Sequence, residues 1–159
     1  LLLEPGKNTQ ISFSMLYYKR PKKRGCNEGM NYYGTIYEAI GGREGLWNII
    51  QRFYPKVQKH PLLGPLFPED IDPVMEKQQM FLTQFFGGPS LYSDTFGHPM
   101  MRARHLPFPI TPERAEAWLS CMSEALAETG MPEELRQIVI ERLSGPAHHF
   151  VNTTDEQET

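Results

Sequence analysis

Between Gly45 and His60 the residues Leu46, Ile49, Ile50, Phe53, Tyr54 and Val57 recur at i, i+3, i+4, i+7, i+8 and i+11. That is the spacing of one buried face of an α-helix. Other helical stretches share the period, and Pro and Gly punctuate them. Thr35 to Ile40 reads as a short helix closed by Gly41-Gly42, because glycine accepts the left-handed conformation that ends helices. His60-Pro61-Leu62-Leu63-Gly64-Pro65 is a corner. Asp72-Pro73 opens the next helix, with Asp72 as cap and Pro73 in the first helical position. It carries Val74, Gln78, Phe81, Leu82 and Phe85 on one side and stops at Gly87-Gly88-Pro89.

Ser90 to Pro109 reads as irregular, broken by Gly97, Pro99, Pro107 and Pro109. Thr111-Pro112 repeats the cap-plus-proline signal before a helix with Trp118, Met122, Ala125 and Leu126 on its apolar face, and Gly130 ends it. A last helix runs from about Pro132 through Leu135, Ile138, Val139 and Leu143 toward Phe150. No part of 35–150 sustains the period-2 alternation of a half-buried strand. The fold class is therefore all-α.

At 159 residues the chain is one domain with a tail, and 40% hydrophobic with 22% charged residues reads as soluble and globular. No apolar run approaches the ~18 residues of a membrane span, so no membrane partner is expected. Cys26 and Cys121 are the only cysteines. They exclude a disulfide framework and a four-cysteine zinc site and make a reducing cytoplasm the default compartment.

Residues 1–34 are net +4 and residues 35–159 net −7. An acidic body argues against nucleic acid as the main partner. The basic run Lys19-Arg20-Pro21-Lys22-Lys23-Arg24 could meet an anionic surface, but a solvated, disordered tail is the first reading. Residues 1–34 are accordingly taken as an extension, 35–153 as the folded domain and 154–159 as a disordered acidic tail. Lys22-Lys23-Arg24-Gly25 can be encoded by a purine run resembling a ribosome-binding site. Met30 is then a candidate natural start, testable by the intact mass of the endogenous protein.

The sequence holds no His-Glu-x-x-His, Walker loop, Rossmann glycine pattern or Gly-x-Ser-x-Gly elbow. Of five histidines, His60 and His98 precede prolines in loops and read as caps or surface residues. His148 and His149 point about 100° apart on a helix and cannot chelate one metal together. His105 differs: it ends Met100-Met101-Arg102-Ala103-Arg104 and abuts the rigid Leu106-Pro107-Phe108-Pro109. On spacing alone it is either a packed histidine or an axial metal ligand held in a fixed direction.

The run Phe81-Leu82-Thr83-Gln84-Phe85-Phe86-Gly87-Gly88-Pro89, followed by Gly97-His98-Pro99-Met100-Met101-Arg102-Ala103-Arg104-His105-Leu106-Pro107-Phe108-Pro109-Ile110-Thr111, resembles the group II truncated haemoglobins. Arg114 to Met122 and Ala147 to Asn152 carry the same likeness, which spans roughly 36–153. The resemblance implies a shortened globin, a two-over-two sandwich of helical hairpins (43–59 with 72–86, 111–129 with 132–150) around haem b. With no Cys-x-x-Cys-His motif, the haem would be held non-covalently.

The resemblance makes His105 the proximal iron ligand and places Tyr54, Gln78 and Trp118 at the distal positions. Phenol O–H and indole N–H are donors suited to a dioxygen ligand that gathers negative charge. Phe67 would pack on the macrocycle, Phe81, Leu82 and Phe108 would build apolar walls, and Lys77, Tyr92 and Arg104 would meet the propionates. Val74 stands where the family usually has a small residue on the distal entry path, and either narrows that path or fills it. Pro55 follows Tyr54 inside a helix, where proline removes a hydrogen bond and costs about 3 kcal/mol; a kink there would re-aim the phenol. Gly145-Pro146 is expected to bend or break the last helix.

The function implied is reversible, tight binding of dioxygen, with carbon monoxide, nitric oxide or peroxide as further ligands, in a cytoplasmic monomer or weak homodimer served by a reductase. The alternative is a haem enzyme that is peroxidase-like or consumes nitric oxide.

Overall fold

A computed structural model describes Tyr18–Lys19 and residues 33–154. The basic run over 20–24, the candidate start at Met30 and residues 155–159 lie outside the described residues. β1 (Tyr18–Lys19) pairs antiparallel with β2 (Tyr33–Gly34), Tyr18 opposite Gly34 and Lys19 opposite Tyr33. Two residues are too few to leave an alternation in the sequence, and all that follows is helical.

α1 (Ile36–Ala39) is begun by a reciprocal cap. The Thr35 hydroxyl accepts from the Glu38 N–H and the Glu38 carboxylate accepts from the Thr35 N–H. Gly41 and Gly42, at φ 98° and 64°, then turn the chain into α2 (Gly42–Lys59). All six residues of the recurring apolar face of α2 are buried, each worth roughly 1.5–3 kcal/mol when an aliphatic or phenyl group leaves water. α2 runs through Pro55 as one continuous helix, so the proline does not end it. The proline withholds its N–H from the Gln51 carbonyl, but Gln51 and Pro55 are both exposed, so water can take the freed acceptor.

The His60 corner closes on itself: its Nδ1 accepts from the Leu62 N–H at 3.2 Å, and a single 3-10 turn, Gly64–Leu66, follows. α3 (Asp72–Phe85) starts one residue earlier than expected. Asp72 is its first residue, Ile71 is the cap position, and the Asp70 carboxylate accepts from the Asp72 N–H. Gly87 turns with φ 92°. A methyl on Gly88 would stand 2.7 Å from the Tyr37 ring, so the glycine pair also lets α1 lie against the end of α3.

The stretch read as irregular holds two short helices, α4 (Leu91–Phe96) and α5 (Met101–His105). Each is under two turns and cannot display a buried period. The Gln84 side chain clasps α4, donating to the Ser93 hydroxyl and accepting from the Ser93 N–H, both at 2.9 Å. α6 (Pro112–Ala127) is capped by the Thr111 hydroxyl, as expected. α7 (Glu133–His149) continues through Pro146, so the expected break at Gly145-Pro146 is absent.

α2 packs with α3, α6 packs with α7, and α2 lies on α6, so two hairpins are stacked as two over two. Leu46, Ile50, Phe53 and Val57 of α2 meet Met122, Ala125 and Leu126 of α6 in one core. Gly45 is required by the turn from α1 into α2: a methyl there would sit 1.8 Å from the Ile40 carbonyl oxygen. Alanine is normally worth about 1 kcal/mol over glycine inside a helix, but a clash with backbone outweighs it. Gly45→Ala should lower stability by about 1–3 kcal/mol, seen as a lower urea midpoint at unchanged slope. An equal or higher midpoint would refute this close approach.

Candidate functional site

A cleft opens between the hairpins, with walls from α2, α3, α5, α6 and α7 and the corner after α2. Eight of the residues singled out in the sequence line it: Tyr54, Phe67, Gln78, Phe81, Leu82, His105, Phe108 and Trp118. The face of α3 divides in two. Val74, Gln78 and Phe85 are only half-buried, whereas Met75 and Leu82 are buried in the core.

His105 ends α5. Its Nδ1 lies 2.8 Å from the Met101 carbonyl oxygen. A carbonyl can only accept, so Nδ1 carries the proton and Nε2 keeps the lone pair, as a metal ligand must. Burial pushes the imidazole down to about 4, against the smaller opposing effect of the Met101 carbonyl, and the ring is neutral at pH 7. The Phe150 ring is stacked on it, centroids 4.3 Å apart and planes 12° from parallel.

Tyr54 and Trp118 flank Phe53, with ring centroids 5.0 and 5.1 Å from it in edge-to-face contacts. Tyr54 also meets Phe67 edge-on at 6.0 Å. Burial raises the Tyr54 phenol well above its ordinary range and keeps it protonated, so it is a donor at any physiological pH. The indole N–H can only donate. With Gln78 on the same cleft, three side chains able to donate share an otherwise apolar space.

Four of the sequence-predicted residues lie off the main cleft. Val74 and Lys77 line an adjoining cavity that shares Leu66, Phe67 and Phe108 with it. Tyr92 stands behind Phe81, ring centroids 6.0 Å apart, with the Arg104 guanidinium 5.9 Å over its face. Phe96 joins the cluster, 5.0 Å from Tyr92 and with the Lys77 ammonium 5.4 Å over its ring. Among the described residues the Tyr92 hydroxyl is buried with no hydrogen-bond partner. A buried orphan donor in a cluster that carries two exposed cations suits an anionic group.

Sequence reasoning missed Leu63, Leu66, Met101, Ile110, Arg114 and Phe150 as cleft residues. Most come from corners and helix ends, where no period marks an inward face. The Arg114 guanidinium ties the two sides of the cleft together, donating from Nε to the Leu62 carbonyl at 3.1 Å and from Nη1 to the Pro109 carbonyl at 2.8 Å.

His148 and His149 are exposed, as the sequence suggested. His148 Nε2 lies 2.5 Å from the Glu116 carboxylate, clasping α7 to α6. That carboxylate and then the Ser144 carbonyl raise the imidazole above its ordinary value. The clasp is therefore fully present below about pH 6.5, the unfolded histidine's pKa, and fades as pH rises through the raised folded value. His148→Gln should cost no more than about 1 kcal/mol at pH 5.5, an exposed pair's worth, and nothing at pH 9. A stability loss independent of pH would dismiss the ion pair.

A family model described as bacterial-like globin matches residues 35–152. The Group 2 truncated hemoglobin YjbI of Bacillus subtilis is 52% identical over 126 residues, 79% of this chain and 95% of that protein. The crystal structure of the group II truncated hemoglobin from Bacillus anthracis is matched at 53% identity and TM-score 0.74, over 76% of this chain and 98% of that one. The structure of a truncated oxygen-avid haemoglobin from Bacillus subtilis is matched at 52% identity and TM-score 0.71, over 75% of this chain and 100% of that one. The chain belongs to the bacterial-like globins and, within them, to the group II truncated haemoglobins. The two stacked hairpins are the family's two-over-two globin fold.

Proposed function

We propose that the protein binds haem b non-covalently in this cleft and through it binds dioxygen reversibly and tightly. The observation that carries the reading is His105: neutral, its Nδ1 proton held by the Met101 carbonyl, in an apolar cleft that also receives Tyr54, Gln78 and Trp118. Family membership supports haem and oxygen as the ligands. One Bacillus subtilis relative carries the description oxygen-avid. Two variant structures of the Bacillus anthracis protein replace a tryptophan and a tyrosine, whose separation along the chain equals that of Tyr54 and Trp118.

Haem supplies an iron atom with one coordination position open to a diatomic gas. His105 would hold that iron through Nε2. Phe67, Phe81, Leu82 and Phe108 keep water from the macrocycle, and the orphan Tyr92 hydroxyl with Arg104 and Lys77 offers its propionates a donor and two cations. Tyr54, Trp118 and Gln78 donate toward a bound gas, which slows release and suits capture. The globin domain is 35–153, with an unidentified reductase and a cytoplasmic site of action.

The test is an ultraviolet–visible spectrum of the purified protein, reduced and then exposed to oxygen and to carbon monoxide. A reduced spectrum that shifts with each gas and returns on its removal supports the reading. A colourless protein that takes up no haem ends it. Steady turnover with peroxide and a reductant, in place of reversible binding, replaces it with a peroxidase-like activity.

A further inference from the structure

We infer that Phe150 and Asn152, in the segment that ends α7 and leaves it, are positioning residues for His105, an inference resting on the haem reading above. α5 has five residues, too few for a helix to be stable by itself. It follows Met100 at φ 50°, a left-handed backbone that costs a branched or long side chain roughly 1–2 kcal/mol. The two prolines after His105, Pro107 and Pro109, have no N–H with which to tie the loop down. Within α5 the Met101 carbonyl fixes one ring nitrogen of His105, and the remaining constraint on its direction comes from outside the element.

The C-terminal segment supplies it. Asn152 donates from Nδ2 to the His105 carbonyl at 3.1 Å and to the Phe108 carbonyl at 3.0 Å. Its Oδ1 accepts from the Ile110 N–H at 3.0 Å, and its backbone N–H donates to the Ile110 carbonyl at 3.0 Å. Two carbonyls require the amide nitrogen and one N–H requires the amide oxygen, so the network fixes the side chain's orientation. One residue thus satisfies both ends of the His105–Ile110 loop. Phe150, two residues earlier, lies face to face with the imidazole. The Met101 carbonyl holds one ring nitrogen in place, and the Phe150 face blocks rotation out of plane. Together they leave the ring one orientation in which to present Nε2.

The reporter is the iron–histidine stretching band of the ferrous protein by resonance Raman, with the rate of haem transfer to an excess of a haem-scavenging apoglobin. Phe150→Leu removes the flat face, and Asn152→Asp keeps the acceptor but loses both donors. Each should shift or broaden the band and speed haem loss by about tenfold, the effect of one to two lost hydrogen bonds or a lost ring contact. Phe150→Tyr keeps the face and should restore the wild-type band. His148→Gln, at the same end of α7 but on its surface clasp, should leave the band alone. Variants with lower melting temperatures and a wild-type band would reduce Phe150 and Asn152 to structural residues and overturn the inference. A wild-type protein that takes up no haem would instead remove the reading beneath it.

Discussion

His105→Ala is expected to abolish stable haem incorporation, leaving a protein that purifies colourless or holds haem loosely and misligated. The Soret band of the purified variant, with haem loss followed over time, is the measurement. His105 is the histidine that lines the cleft. His60 is committed to the corner after α2, His98 accepts from the Met100 N–H, and His148 faces Glu116. His149→Ala, on the exposed end of α7, should leave the spectrum almost unchanged. Should the two variants exchange behaviours, the axial assignment is wrong. Since among the described residues the neutral ring stacks on Phe150 and bonds the Met101 carbonyl alone, the fold should tolerate its removal better than the haem does, and circular dichroism of the variant checks this.

Trp118→Phe should release oxygen about ten to a hundred times faster than wild type. Dioxygen gathers negative charge when it binds haem iron, and a hydrogen bond to a charged acceptor is worth ~1.5–3 kcal/mol, with every 1.4 kcal/mol a factor of ten. Carbon monoxide gathers far less charge, so its release should change little. Tyr54→Phe is the sharper comparison. Tyr54 lines the same cleft as Trp118, on a helix that continues through Pro55, and its effect is expected to match that of Trp118→Phe. Gln78 lies on the same wall and can replace one lost donor, so the double variant should exceed the product of the singles. Equal acceleration of both gases would indicate that the pocket had simply opened, and the hydrogen-bond account would fall.

The helices were legible because their causes are local. The face of α2 is written in six residues at helical spacing, and Thr35 and Thr111 cap the helices they precede. The errors were local too: Asp70 rather than Asp72 holds the start of α3 with its carboxylate, and α4 and α5 are too short to carry a period. The cost of Pro55 depends on whether the abandoned carbonyl reaches water, and exposure is a property of the folded surface.

The candidate site divides in the same way. The sequence by itself framed His105 between the run 100–104 and Leu106-Pro107-Phe108-Pro109 and put Tyr54, Gln78 and Trp118 on the apolar sides of their helices, whereas their meeting at one distal site was implied by the resemblance alone. Which histidine nitrogen is free is likewise set within α5, by the Met101 carbonyl four residues back; tertiary structure decided instead that burial keeps the ring neutral. It also decided what steadies the ring, because Phe150 and Asn152 lie more than forty residues along the chain and reach His105 only after α7 has packed against α6. Periodicity and capping act within a few residues and so can be read from the order of side chains. A stacked ring or a shared amide depends on where the packing of whole helices brings distant backbone together, and no short-range pattern encodes that distance.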